Sequence, residues 1–392
     1  MLDIASIRAD APGVANVRHF NHAGGSLLSA RTLKIITGQL EREAGFGAME
    51  SQPPAAEAVE VARATAARLL NADASEIAFT SSNSAAYGLA LAALPPLQRG
   101  QRILVGRQEW GGNLSSFEAK AEAAGATVEQ IPCLPDGSVD AGALKHMLDS
   151  RVALVALTWA PANGGLLNDA EAVGAALAGS GIPYFVDAAQ AIGQIPADVH
   201  KIGCDVLTAA GRKYLRGPRG TGLLYVRQGF LDRLNPAYLD VISAPWNKGP
   251  QVRPDARRFE TAERSLALLM GFGEALRQAE DYGIPAIRQR IQTLSEDLRT
   301  RLAGIEGVSI EDLGAIRTGI ISFQIRGWQA VEAMQELARR QINVGANGLA
   351  YTPFDIGARG LPDLIRASVS YLNTEEELAE LVANVHDMSR MR

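Results

Sequence analysis

Between about Ser75 and Arg227 the chain repeats one pattern. A short apolar run is followed by a segment whose apolar residues fall three and four apart. "EIAFT" precedes "SAAYGLALAAL", "RILVG" precedes "SSFEAKAEAAG", and "TVEQIP" precedes "AGALKHMLDS". Then come "VALVALT", a helical "DAEAVGAALAGSG", "IPYFVDA", "CDVLTAA" and "GTGLLYVR". Continuous apolar runs mark strands buried on both faces, and three-four spacing marks the helices that cover them. The alternation therefore predicts an α/β fold, a mostly parallel sheet sandwiched by helices.

After about Pro245 the texture changes. "APWNKGPQVRPDARRFE" is a Pro-rich, charged link. Beyond it lie the helical stretches "ERSLALLMGFGEALRQAEDYG" and "IPAIRQRIQTLSEDLRTRLAGI". The strands "GVSIED", "GIISFQI", "INVGA" and "LIRASVSYL" follow, with the helices "WQAVEAMQELARR" and "TEEELAELVANVHDM". A chain of 392 residues exceeds the ~250–300 over which one core grows. The reading is a large α/β domain over 15–255 and a smaller α+β domain made of 256–392 together with residues 1–14. Asn373 is the expected N-cap of the last helix.

Net charge is −5, so no basic excess points to nucleic acid or an anionic membrane. Cys133 and Cys204 are the only cysteines, which suits a reducing compartment. The five histidines show no zinc spacing, so no metal is expected. The first residues carry acids and no apolar leader, and no run approaches the ~20 apolar residues of a membrane span. The expected location is the cytoplasm.

Open α/β sheets bind ligands beyond the carboxyl ends of their strands. Ser81, Ser82, Asn83 and Ser84 follow the first run and open a helix, which suits an anion. Trp110 follows the second, in "RQEWGGN". Asn163 lies in "WAPANGG", Asp187 ends "IPYFVD" with Gln190 three residues on, and Arg212 and Lys213 follow "CDVLTAA". A lysine, an isolated carboxylate, an anion cradle and a flat aromatic are what pyridoxal 5′-phosphate requires. Desolvation and the neighbouring Arg212 both lower the lysine pKa, which favours the neutral amine that attacks an aldehyde.

"FVDAAQAIGQ" followed by "GRKYLRGPRGTGLLYV" resembles the fold-type I pyridoxal-phosphate enzymes of the class V aminotransferase group. That group includes cysteine desulfurases, isopenicillin N epimerases and ergothioneine-type C–S lyases. "TSSNSAAYGLAL", "EWGGN", the "FE" at Phe259 and "IRASVSYLNTEEEL" fall in the order the group shows. The resemblance implies that Lys213 bonds the cofactor aldehyde and later moves the Cα proton. It implies that Asp187 pairs with the pyridine nitrogen and Gln190 with the phenolic oxygen. Asn83 and Ser84 would hold phosphate, Trp110 would stack on the ring, and Arg366 would fork onto the substrate carboxylate. Arg212 stands where a histidine is common and Ala210 where a phosphate-binding serine is common, so Arg212 is a candidate phosphate contact. Asn163 and His22 are further candidates for the substrate pocket. The resemblance also implies a homodimer with active sites at the subunit interface.

A desulfurase of this group carries a nucleophilic cysteine in the segment that here reads "VGANGLAYTPFDIGARG", and this chain has none there. The leading expectation is an aminotransferase acting on a small amino acid. A cysteine-conjugate C–S β-lyase stands next, then an epimerase or racemase, and outside catalysis a pyridoxal-phosphate-binding regulatory domain. "GPRGTG" precedes a strand and is not the dinucleotide fingerprint, so a dehydrogenase is disfavoured.

Overall fold

The computed structural model describes residues 2–392. Seven strands form the large sheet: β1 (Ile77–Thr80), β2 (Arg102–Val105), β3 (Thr127–Gln130), β4 (Val152–Thr158), β5 (Tyr184–Asp187), β6 (Val206–Ala210) and β7 (Gly222–Val226). Their order is β1-β7-β6-β5-β4-β2-β3. Only β7 runs antiparallel to its neighbours. The mostly parallel, helix-covered sheet is the expected architecture. Strands β4 to β7 are buried almost throughout, as their unbroken apolar runs require. β3 lies at the edge, and three of its four residues are polar.

Four antiparallel strands form a second sheet in the order β10-β11-β9-β8. These are β8 (Val308–Ile310), β9 (Ile320–Ile325), β10 (Gly345–Asn347) and β11 (Leu364–Ser368). Arg18–His19 pairs in parallel with Ile342–Asn343, tying the N-terminal segment to this part.

The change of core falls inside the helix Ile284–Ala303. Ile287 and Ile291 join the large core, while Leu294, Leu298 and Leu302 join the small one. The preceding helix, Leu266–Tyr282, packs on Ala30–Phe46 and Gln52–Leu70 and puts Leu269, Phe272 and Leu276 into the large core. The boundary drawn at residue 256 follows the change in sequence texture. The cores divide further along the chain, because a helix is sorted by the surface its apolar stripe meets.

One local expectation is corrected. Thr374, not Asn373, caps the last helix, in a capping box with Glu377. Asn373 instead donates to the His19 carbonyl and to Glu377. The Glu260–Arg264 spacing resembles an ordinary surface pair, yet Glu260 is wholly buried. It accepts from Arg63 at 2.7 Å and from the Phe79 amide at 2.8 Å, pinning the link to β1.

Candidate active site

The carboxyl ends of β1, β4, β5 and β6 converge on a cavity of about 320 Å³. Ser81 to Ser84, Trp110, Thr158, Asp187, Gln190, Arg212, Lys213 and Arg219 line it, with Ala160 and Ala162. Seven of the ten residues given a cofactor or substrate role from sequence are therefore neighbours: Asn83, Ser84, Trp110, Asp187, Gln190, Arg212 and Lys213.

The helix Asn83–Ala93 begins at the cavity, and Ser82 caps it by accepting from the Ala85 amide at 3.0 Å. The free N–H groups of its first turn and the helix dipole favour an anion there. A Cβ on Gly222 would run into the backbone of Ser82, so glycine is what lets β7 pass this close.

Asp187 is buried at the end of β5. It accepts from the Asn83 amide at 3.2 Å to both oxygens, from Asn113 at 2.9 Å and from the Ala189 backbone N–H at 3.0 Å. Asn113 stands in the quoted "EWGGN", but nothing in the linear pattern assigns it a role. It reaches Asp187 only because its helix, Gly111–Ala124, starts at Trp110. The two glycines open that helix and are not a loop. A Cβ on Gly111 would overlap the Ala350 carbonyl, so the segment around Tyr351 can lie against this turn. The Trp110 and Tyr351 rings make a tilted contact, 5.4 Å between centroids and 57° between planes.

Burial pushes the Lys213 ammonium down to about 7. Asp187 opposes this shift, while Arg212 and Arg366 add to it. The amine is thus substantially neutral near neutrality, as attack on a carbonyl requires. Burial likewise lowers Arg366, to about 10. It is 5% exposed, and among the described residues no carboxylate forms an ion pair with it. Its Nη1 donates to the Ala162 carbonyl at 3.0 Å and its Nη2 to Asn21 Oδ1 at 3.3 Å, while Nε has no partner. A buried guanidinium without a counter-ion suits a site that receives a carboxylate.

Asn163, His22 and Arg366 do not line the cavity. Asn163 donates to the Gly348 carbonyl and to Thr352 Oγ1, fastening the 345–352 segment beside the site. His22 is fully buried, holds Ser26 through Nδ1 at 3.0 Å and is kept neutral by desolvation. It sits next to Ala23, whose carbonyl accepts from Gln190 Nε2 at 3.0 Å. Arg216 has a positive φ of 58° and turns away from the cavity, donating to the Leu27 carbonyl and to Tyr371.

Asn83 Oδ1, Gln190 Oε1 and Thr208 Oγ1 are buried without hydrogen-bond partners. Thr208 pairs in register with Asp187 on the adjacent strand. Unpartnered polar atoms around a buried carboxylate, a lysine and a helix N-terminus fit a polar aromatic phosphate such as pyridoxal 5′-phosphate. The two thiols lie elsewhere. Cys204 is fully buried, with its pKa raised by desolvation. Cys133 is half-buried beyond β3.

A family model described as aminotransferase class-V matches residues 19–381. A "Probable cysteine desulfurase" of Xylella fastidiosa (strain 9a5c) is 29% identical over 84% of this chain and 80% of its own length. A cysteine desulfurase structure from Thermococcus onnurineus NA1 superposes with a TM-score of 0.91, at 22% identity over 100% of this chain and 99% of that one. A cystine C–S lyase, solved with its product cysteine persulfide, superposes with a TM-score of 0.86, at 25% identity over 96% and 99%.

Proposed function

The chain belongs to the class V aminotransferase family of pyridoxal-phosphate enzymes, and we propose that within it this protein cleaves the Cβ–S bond of a cysteine-derived amino acid by elimination. The observation that carries this reading is the composition of the 345–352 segment. It lies beside the cavity, with the Gly111 N–H donating to the Tyr351 carbonyl at 2.9 Å, and it holds no thiol. Sulfur freed from the substrate has no cysteine there to accept it. Carbon–sulfur chemistry is also what the names of the relatives carry, as desulfurases and as a cystine C–S lyase, and this supports the reading. Transamination, the leading expectation from sequence, has only the family name in its favour.

When bound, the cofactor supplies an electron sink for the substrate Cα. Asp187 would hold its ring nitrogen, Gln190 its phenolic oxygen, Trp110 its face, and the backbone N–H groups of Asn83 and Ser84, together with Arg212, its phosphate. Arg366 would grip the substrate carboxylate and orient the Cα–H toward Lys213. The Lys213 amine takes the Cα proton. The Cβ–S bond breaks with its electron pair leaving on sulfur, and the thiolate is protonated as it departs. Addition of water to the three-carbon remnant yields pyruvate and ammonia.

The test is product analysis of the purified holoprotein with L-cystine, S-alkyl cysteines and L-alanine. Pyruvate, ammonia and a thiol or persulfide in equal amounts support the reading. Alanine with enzyme-bound sulfur would instead establish a desulfurase. Pyridoxamine phosphate that a 2-oxo acid converts back would establish an aminotransferase. A racemised amino acid would establish an epimerase.

A further inference from the structure

A second carboxyl group lies one amide away from Asp187. Glu109 is 1% exposed at the turn that precedes Trp110. The Asn113 side-chain amide donates to both acids, to Glu109 Oε1 at 2.9 Å and to Asp187 Oδ2 at 2.9 Å. The Thr158 backbone N–H donates to Glu109 Oε2 at 3.0 Å and the Thr158 hydroxyl to Oε1 at 2.9 Å. That hydroxyl also accepts from the Trp110 backbone N–H at 3.1 Å. One side chain therefore fastens the end of β4, the start of the Trp110 helix and the amide that orients Asp187.

We propose that Glu109 is a positioning residue whose negative charge, carried through Asn113, strengthens the hold of Asp187 on the protonated ring nitrogen of the cofactor. Three donors converge on it, which favours the carboxylate, while burial and Asp187 oppose it. The balance pushes Glu109 up to about 7, with desolvation the largest cause. The titratable groups facing it are Asp187 from β5 and Tyr87 from the helix Asn83–Ala93, whose hydroxyl is buried without a partner. Two carboxylates sharing one amide repel each other, and a cation arriving at Asp187 relieves that repulsion. Retention of the cofactor then rises as Glu109 ionises. This rests on the reading of Asp187 as the partner of the ring nitrogen.

Cofactor affinity is measured by equilibrium dialysis in a Lys213→Ala background, which removes the titration of the lysine. Protein that keeps Glu109 is compared with the Glu109→Gln and Glu109→Asp variants at about pH 6 and about pH 8. The expected result is that the affinity advantage of the Glu109 protein over the Glu109→Gln variant grows about tenfold across this range, with Glu109→Asp restoring part of it. A ratio constant within about twofold overturns the proposal. Asp187→Asn in the same background separates the two readings. If Asp187→Asn leaves affinity unchanged, the assignment of Asp187 fails. If it weakens binding while Glu109→Gln does not, only the role of Glu109 fails. Should the Glu109→Gln variant not fold, ¹³C-carboxyl glutamate NMR of the unaltered protein decides. One glutamate titrating near neutrality must fall by about one pH unit on cofactor binding, and an unmoved midpoint overturns the proposal.

Discussion

Lys213 and Arg366 are two cations held in buried surroundings, and Arg366 bears on the lysine. Desolvation is the main cause of the low Lys213 pKa, and Arg366 adds to it. Because the lysine titrates at about 7, loss of neutral amine begins as pH falls through that value. The rate at which the apoprotein captures pyridoxal phosphate, followed by stopped-flow absorbance, is expected to fall about tenfold per pH unit below about 7. Lys213→Ala is expected to lose the visible absorbance band of the lysine-bound cofactor and about 10³-fold or more in turnover. Arg366→Lys keeps the charge but loses the planar fork. Its KM for an amino acid is expected to rise about 10- to 100-fold, with a smaller change in kcat, in steady-state assays. An equal fall in kcat and kcat/KM would contradict a role in holding the ground-state carboxylate.

At the scale of elements, the site is built where strand ends meet helix starts. β7 and the helix Asn83–Ala93 touch at Gly222 and Ser82, with no room for a side chain. Gly222→Ala is expected to force the cap apart. It should cost about 1–3 kcal/mol of stability in urea unfolding and lower phosphate-ester affinity disproportionately. An alanine variant with unchanged affinity for inorganic phosphate would argue against this helix start as the phosphate site. The Gly111 turn works in the same way, admitting the segment that bears Tyr351 and thereby seating Trp110.

For the whole molecule, buried ion pairs fasten the irregular stretches to the sheets. Glu260 binds Arg63 and β1, while Arg299 binds Asp312 at 2.7 Å and the Thr318 and Ile320 carbonyls. Glu260→Ala leaves the buried Arg63 with only the half-exposed Glu60 as its counter-ion, and is expected to cost about 1–3 kcal/mol in urea unfolding. A loss below about 1 kcal/mol would show that water reaches Arg63. Val241, just before the link, and Trp246, within it, are 72% and 79% exposed. No helix among the described residues is long and apolar enough to cross a membrane. The homodimer implied by the family resemblance is expected to bury such apolar surface. Sedimentation equilibrium should return the mass of two chains, and a monomer at micromolar concentration would refute it.

The α/β architecture and most of the cavity lining were legible in the sequence for one physical reason. Buried parallel strands must be apolar, and ligand groups must follow their carboxyl ends, so Asp187, Gln190, Arg212 and Lys213 stand next to the runs that place them. The Asn83 and Ser84 helix start is equally local. What depends on contacts between distant segments left no such mark. Asn113 and Glu109 acquire a role only because β4 and β5 bring Thr158 and Asp187 to them. Asn163 and His22 stand in plausible motifs, but Asn163 Nδ2 holds the 345–352 segment and His22 Nδ1 holds Ser26, while Asn163 Oδ1 and His22 Nε2 have no partner. The division between cores, the buried station of Glu260 and the pairing of two buried carboxyls were decided by tertiary packing alone. Which side chains lose water depends on what the rest of the chain lays over them, and linear spacing does not record that.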